Sequence, residues 1–405
     1  VECDVYFVDY SAAGDFFLRL SRSRRNSKSY IITTLPSLFY KCQGMSNIKV
    51  IFISKFSHVS EETIHPEDIN RCKEIPLGFM SKDKASTLYS RVKYALNSIM
   101  DKKYDRINLA CWSSETIMGS VIRQINNDKR VHKLFFEIAN IPGKIFVDSE
   151  GVNKASSLYD CPEKVFSYPI NEFSFKSWVD NFKNDKLSGV NTAPPQVRLG
   201  NKLSFSMLFD FIFVISIGYR MFSYSAILAK LNINKFINKF SKKLNGVNFC
   251  SEIPKSYLFF PLQVSSDTQV IINSDVDNLQ SIDIILKSTK DIIVIKPHPA
   301  ERDIIYIFEY LNGLSKENRK RVIITNNNTY ELIERSNGVI VINSTLGLEA
   351  KIFGKDVKFM GYSFFSKFTN EQYIEHYIGG YLVDCDFFCD NYISCDTSDK
   401  IFNNY

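Results

Sequence analysis

The sequence predicts a two-unit α/β fold built on largely parallel sheets, and three observations carry that reading. Short β-branched apolar runs alternate with helical spacing over residues 5–138, the pattern of a parallel sheet with helices on both faces. The same alternation restarts at residue 256, after a block of helical spacing at 203–244. The chain is 405 residues long, more than one hydrophobic core usually serves.

In order, residues 5–10 read as a buried strand, 11–15 as a loop holding Gly14, and 16–25 as a basic-ended helix. Strands follow at 30–34 and 47–54, then a polar irregular stretch at 55–83 that includes a loop facing the active site. A helix at 85–100, a strand at 107–112, a helix at 115–127 and a strand at 133–138 complete the first alternation. Residues 160–200, with four prolines, read as loops and a short helix, and 245–255 as a linker. Beyond it come strands at 257–264, 292–296, 322–325, 338–342 and 357–360. Helices are expected at 302–314, 330–336 and 346–353, the last stopped by Gly354. The expected division is 1–200, a helical bridge at 201–250, a second unit at 251–365, and a tail at 366–405 packing back on the first.

Composition narrows the function classes. At 45% hydrophobic and 23% charged the chain is globular rather than disordered. A formal charge of +6 suits anionic substrates or anionic lipid and is too weak to argue for nucleic acid. Nine scattered cysteines, an odd number, argue against a disulfide framework and for a reducing, cytoplasmic setting. The opening residues read as a strand rather than a signal peptide. The longest apolar stretch, 203–218, is short for a membrane span and contains Asp210, so a core helix is expected. Arg220, Lys230, Lys235, Lys239, Lys242 and Lys243 keep open an interfacial helix and peripheral attachment to the inner membrane.

Two junctions carry the chemistry. In IIVIKPHP, a buried strand ends at Lys296, and prolines hold His298 in extended backbone between Pro297 and Pro299. In GVIVINSTLGLEAKIFGK, Asn343, Ser344 and Thr345 fall between a strand and a helix, where free amides and the helix dipole favour an anion. Together they read as a nucleotide-phosphate site. Glu349, on the following helix, is in reach of a ribose hydroxyl or is a solvated acid. Asp267 follows the strand of FFPLQV and lies one βα unit before His298, at the same sheet edge. Its alternative is to cap the next segment. Glu137, Asp148 and Glu150 end strands in the first unit and form a carboxylate group suited to acid/base work, with Asp148 the solvated member. No acidic cluster adjoins the donor motifs, so no metal is expected. Asp275 and Asp277 read as solvent-facing.

The order FFPLQVSSDTQ, IKPHPAER, INSTLGLEAKIFGK resembles the bacterial capsule-polysaccharide glycosyltransferases, notably the β-Kdo transferases that use CMP-Kdo. Upstream, LFFEIANIPGKIFVDSEGVNKASS is similar to the stretch where that family shows FEEGYLRP and later GVN-x-x-S. VYFVDYSAAGDFFLRLSRSRR is similar to its opening strand, glycine-containing loop and helix. Here Glu137 is followed by Ile-Ala-Asn rather than Glu-Gly-Tyr-Leu-Arg-Pro. The resemblance implies a GT-B-like fold, two Rossmann-like domains facing a central cleft, and transfer of Kdo from CMP-β-Kdo to a surface glycan or glycolipid. It implies that Lys296, His298, Pro299, Asn343, Ser344 and Thr345 hold the CMP moiety. Gly14, Gly151, Asn153, Ser156 and Gln263 are assigned to the acceptor side. Retention of the β configuration makes Asp267 the nucleophile candidate. The alternatives are an inverting sialyl- or polysialyltransferase with Glu150 as base, a CDP-glycerol-type polymerase, and a catalytically silent glycan-binding domain.

Overall fold

The structure is a computed structural model. It describes residues 1–62, 64, 69–126, 128–170, 174–189, 206, 209, 210, 212, 213, 219, 249–265, 267–301, 304–389 and 391–405. The expected helical bridge at 201–250, its apolar stretch and its basic residues fall almost wholly outside these. The chain divides into two units, each built on its own sheet. One is Val1–Tyr168, Pro195–Phe236 and Gly380–Tyr405; the other is Pro169–Pro194 and Ile237–Gly379.

In the first unit, β1 (Glu2–Val8) leads into α1 (Ser11–Ser23), β2 (Lys28–Thr33), α2 (Pro36–Lys41) and β3 (Ile48–Phe52). Then come α3 (Lys82–Met100), β4 (Arg106–Trp112), α4 (Ile117–Arg123), β5 (Val131–Ile138), β6 (Lys144–Asp148) and α5 (Ser157–Asp160). The sheet runs β6-β5-β4-β1-β2-β3, parallel from β5 to β3. Thr116 caps α4 by accepting the Gly119 amide at 3.0 Å, and Pro36 occupies the first turn of α2, where its missing donor costs nothing. Phe16 and Phe17 of α1 pack on Trp112 and Phe136 in the core.

Two expectations change here. Residues 11–15 are the first turn of α1, not a loop. A Cβ on Gly14 would sit 3.0 Å from a Leu38 methyl and 3.3 Å from Val8. Its glycine therefore serves close packing of α1 on α2 and β1. Second, β6 runs antiparallel to β5, pairing Phe135 with Asp148 and Glu137 with Phe146. The connection through Pro142 and Gly143 (φ 76°) is too short for a crossover and only closes a hairpin.

The second unit begins with α6 (Phe175–Leu187). Its sheet elements are β7 (Leu258–Pro261), α7 (Thr268–Ile272), α8 (Asn278–Ser288), β8 (Ile293–Lys296), α9 (Ile305–Gly313), α10 (Lys316–Arg321), β9 (Val322–Ile324), α11 (Thr329–Arg335), β10 (Gly338–Val341), α12 (Leu346–Ile352) and β11 (Val357–Phe359). All five strands are parallel, in the order β11-β10-β7-β8-β9. Both units are Rossmann-like α/β folds. Gly354 (φ 76°) follows the end of α12, as its position predicts. The chain continues through α13 (Glu371–His376), then β12 (Val383–Asp384) and α14 (Cys395–Asn404).

The division differs from the sequence boundaries at both ends. Residues 169–189 group with the second unit because α6 places Lys186 against Tyr330 and Glu349. Residues 380–405 return to the first unit, where β12 adds antiparallel to β6. There Arg24 stacks over Phe402 of α14 at 4.2 Å. Among the described residues, no helix is long and apolar enough to cross a membrane.

Candidate functional site

In the second unit, the carboxyl ends of β10, β7 and β8 lie side by side and present Asn343–Thr345, Gln263 and His298. Such edges are where ligands bind in open α/β sheets. His298 accepts the Ala300 amide through Nδ1 at 3.1 Å, which leaves Nε2 as the protonated nitrogen of a neutral ring. Burial lowers its pKa, against the opposing pull of Asp267 and Glu301. The imidazole is therefore a fixed N–H donor. Asp267 itself caps α7, accepting the Gln269 amide at 2.9 Å, while its charge faces His298.

Other members of the expected phosphate set have different work. Lys296 donates to the Asn327 carbonyl at 2.7 Å and to Thr329 Oγ1 at 2.9 Å, fixing the turn before α11. Burial holds its pKa below the ordinary lysine value. Asn343 gives its side-chain amide to the Gln269 and Asn273 carbonyls at 2.7 and 2.9 Å. Gln263 closes a two-bond ring with Asn343, both bonds at 3.1 Å. Gln263 is thus tied into the second unit through Asn343. Ser344 Oγ accepts the Leu346 amide at 3.2 Å, Thr345 is exposed, and Pro299 is exposed beside His298. Glu349 is neither solvated nor open to a ribose: it is 7% exposed and bonds Lys186 Nζ and Tyr330 OH, each at 3.0 Å. The groups left to meet a ligand are the His298 N–H, Ser344 and Thr345. The strands carrying them are two spacings apart, roughly 9–10 Å, enough to seat a ligand between them.

The first unit holds a site the sequence reading missed. At the carboxyl edge, Asp9 follows β1, Glu115 follows β4 and Glu137 lies near the end of β5, and the segment after residue 69 lays Lys73 and Glu74 across them. The Lys73 amide donates to the Glu115 carbonyl at 2.8 Å, and Glu74 Oε1 accepts the Ile117 amide at 3.2 Å. Glu74 is 1% exposed, and its Oε2 meets no partner among the described residues. Burial raises the carboxyls of Glu74 and Glu137, each to about 7, and raises Asp9 as well. Burial also opposes the charge of Lys73, but Asp9, Glu74, Glu137 and Glu115 outweigh it and hold the ammonium above its usual value. Beside the Lys73 ammonium, Glu74 and Glu137 therefore hold exchangeable protons near neutral pH. Residues 55–83 read as a polar loop because Lys73 and Glu74 interrupt buried Ile69, Cys72 and Met80; that apolar spacing was the available signal.

The hairpin separates the carboxylates expected to act together. Glu150 lies beside Lys133, four residues back along β5 from Glu137, roughly 13 Å. Asp148 is fully buried rather than solvated. It accepts the Glu150, Gly151 and Ser157 amides at 2.7, 3.1 and 3.1 Å, Ser157 Oγ at 2.6 Å and Tyr381 OH at 2.7 Å. The GVN-x-x-S stretch folds around it. A Cβ on Gly151 would lie 2.6 Å from the Ala155 carbonyl, Asn153 takes φ 53°, and Ser156 Oγ donates to the Asn153 carbonyl at 2.8 Å. Among the described residues, no three His, Cys, Asp or Glu side chains converge on a metal position.

The fold and these two edges define a two-unit Rossmann-like protein whose second unit presents His298, Ser344 and Thr345 at one sheet edge. Residues 219–369, which contain that edge, match the family described as capsule polysaccharide biosynthesis protein. This chain is also 34% identical over 118 residues to Protein FixF of Sinorhizobium fredii, an alignment covering 27% of this chain and 27% of that protein. Among solved structures, the chain is similar to Thermosulfurimonas dismutans KpsC, beta Kdo 2,7 transferase, at 16% identity over 99% of both chains with a TM-score of 0.42. It is also similar to the beta Kdo 2,4 transferase of the same KpsC, at 12% identity over 63% of this chain and 69% of that one, with a TM-score of 0.30.

Proposed function

We propose that this chain is a glycosyltransferase of capsule-type polysaccharide synthesis that moves Kdo from CMP-Kdo to a growing surface glycan or glycolipid. The observation that carries the reading is His298 fixed as a neutral N–H donor at the end of β8, beside the Ser344–Thr345 junction of β10. Both lie in the segment that matches the capsule polysaccharide family. A hydrogen bond from a neutral donor holds a phosphate monoester without requiring a metal, and the leaving group of CMP-Kdo is such a monoester. Transfer is accordingly expected to persist in excess EDTA.

Retention requires two displacements or a front-face path. Asp267, whose charge acts on His298, is the carboxylate we propose to attack the anomeric carbon as CMP departs. An acceptor hydroxyl then displaces the carboxylate from the anomeric carbon and gives up its proton to water. Peripheral attachment to the inner membrane, suggested by the basic residues of 220–243, belongs to the same proposal.

The direct test is release of CMP from CMP-Kdo, with CMP-Neu5Ac as the competing donor. His298→Ala is expected to weaken CMP binding by roughly 1.5–3 kcal/mol while the protein stays folded. Release from CMP-Neu5Ac alone would move the assignment to a sialyltransferase. Unchanged CMP affinity in folded His298→Ala would remove His298 from the phosphate.

A further inference from the structure

A cavity of about 420 Å³ opens in the first unit, away from the carboxyl edge. It is lined by Arg123 at the end of α4, Val131, His132 and Lys133 at the start of β5, Ser149 and Glu150 after β6, and Tyr405 beyond α14. The volume falls within the roughly 300–1,000 Å³ of small-molecule sites. None of its residues belongs to the Asp9–Lys73–Glu74–Glu137 cluster, and Lys133 is roughly 13 Å from Glu137 along the strand.

We infer that this cavity is a binding subsite for an acidic sugar, a ligand carrying one anionic group beside hydroxyls. The cationic side is built in. Lys133 Nζ is anchored by the Arg123 carbonyl at 3.0 Å and Asn126 Oδ1 at 3.4 Å, and Arg123 is held by its bond to the Ser114 carbonyl. Lys164 reaches the Ser149 hydroxyl at 3.4 Å. Arg123 and Lys133 therefore supply two cations to the lining, with Glu150 the one acid among the lining residues. Glu150 is exposed and carries acceptor oxygens only, so it suits sugar hydroxyls and repels a bare anion. Tyr405, stacked on Tyr168 at 5.1 Å, supplies a flat wall.

Desolvation supports the assignment. Burial holds both Lys133 and His132 below their ordinary pKa values, Glu150 opposing it at Lys133. At His132, Arg106 of β4 adds to the lowering and Glu2 of β1 opposes it. A bound carboxylate would offset that penalty and raise the His132 titration. The inference rests on the transferase reading only for the ligand's origin: the occupant is an acidic residue already present in the acceptor chain.

The experiment is an NMR titration of the histidine rings of the whole chain, with the His132 signal assigned through His132→Asn. The probes are free Kdo, CMP, inorganic phosphate and a neutral hexose. Free Kdo is expected to saturate the site and shift His132 upward in pH, whereas CMP moves His298 and the hexose moves neither. Lys133→Met is expected to weaken Kdo by about tenfold. Glu150→Gln is expected to weaken Kdo while leaving or improving phosphate. With a Kdo-terminated acceptor, Lys133→Met raises KM for the acceptor and leaves kcat and the donor KM in place. Phosphate moving His132 as far as Kdo at equal concentration would assign the site to simple phosphate and overturn the sugar. No shift with any anion, or Kdo affinity unchanged in folded Lys133→Met and Glu150→Gln, overturns the site itself. Kdo binding here without CMP release from CMP-Kdo keeps this subsite and removes the transferase reading; the reverse keeps the transferase alone.

Discussion

At Asp267 a single carboxylate caps α7 at 2.9 Å and also faces His298, and two substitutions separate these duties. Asn retains a capping oxygen, so Asp267→Asn is expected to unfold at the wild-type urea midpoint. Asp267→Ala should lose about 0.5–2 kcal/mol. If the carboxylate is the nucleophile, both lose transfer, and intact-mass measurement of the wild-type protein with CMP-Kdo finds one sugar attached at Asp267. Transfer at the wild-type rate in Asp267→Asn would leave it a cap alone. Glu74 carries a prediction of a different kind. Its carboxyl keeps a proton to about pH 7 in the folded protein, against 4.5 for an ordinary glutamate. Between those values the folded state binds more protons than the unfolded one, so stability falls as pH rises through the window. Glu74→Gln keeps the oxygen that accepts the Ile117 amide and removes the titration. Urea unfolding at pH 5 and pH 8 should therefore show a smaller pH difference in the variant than in the wild type. His298, Ser344 and Thr345 were legible in the sequence because prolines and a strand-to-helix switch are local signals. Lys73 and Glu74 were not, since their place at the edge is set by strands distant in the chain.

Among the elements, those with strong periodicity lie within a few residues of where the sequence puts them: β4, β5, β8 and β10, and α3 and α12. The misses have physical causes. The first turn of α1 hid behind Gly14, whose glycine reflects contact with Leu38 rather than a turn. The direction of β6 depended on a five-residue connection that the apolar pattern of the strand does not reveal. Register then moved Glu150 away from Glu137, because an antiparallel neighbour carries its end back along the strand. Gly347 was read only as part of a helical run, yet it makes a tighter approach than Gly338 or Gly361 of the same unit. A Cβ there would lie 2.4 Å from Phe359 Cζ and 2.9 Å from a Val341 methyl. Its absence lets α12 press onto β10 and β11 and fixes where Ser344 and Thr345 emerge. Gly347→Ala is expected to destabilise the protein by about 1–3 kcal/mol and to weaken CMP more than it weakens Kdo at the Lys133 subsite. Equal stability to wild type in urea would mean α12 shifts freely on its sheet.

Across the whole molecule, the chain's last residues belong to the first unit although the second precedes them in sequence. β12 pairs with β6 through Val383 and Ile145, and Phe387, Ile401 and Phe402 join the core built on Phe16, Trp112 and Phe136. Arg106 reaches the Phe402 carbonyl, and Arg24, beneath Phe402, also binds Asp4 and Glu2 at 3.1 and 2.5 Å. Tyr381 closes the ring of donors on Asp148. Truncation after residue 379 therefore removes core side chains and one donor to a buried carboxylate, and it bares the β6 edge, a template for aggregation. The second unit keeps its own sheet, its α6 ion pair between Lys186 and Glu349, and the His298 junction. The expected outcome is a truncated chain that loses Kdo binding at the Lys133 subsite and aggregates on mild warming, yet still binds CMP in calorimetric titration. Loss of CMP binding together with the first unit would mean that the two sheets fold as a single cooperative body. Retention of both ligands would mean that β12 and α14 are dispensable to the core they fill.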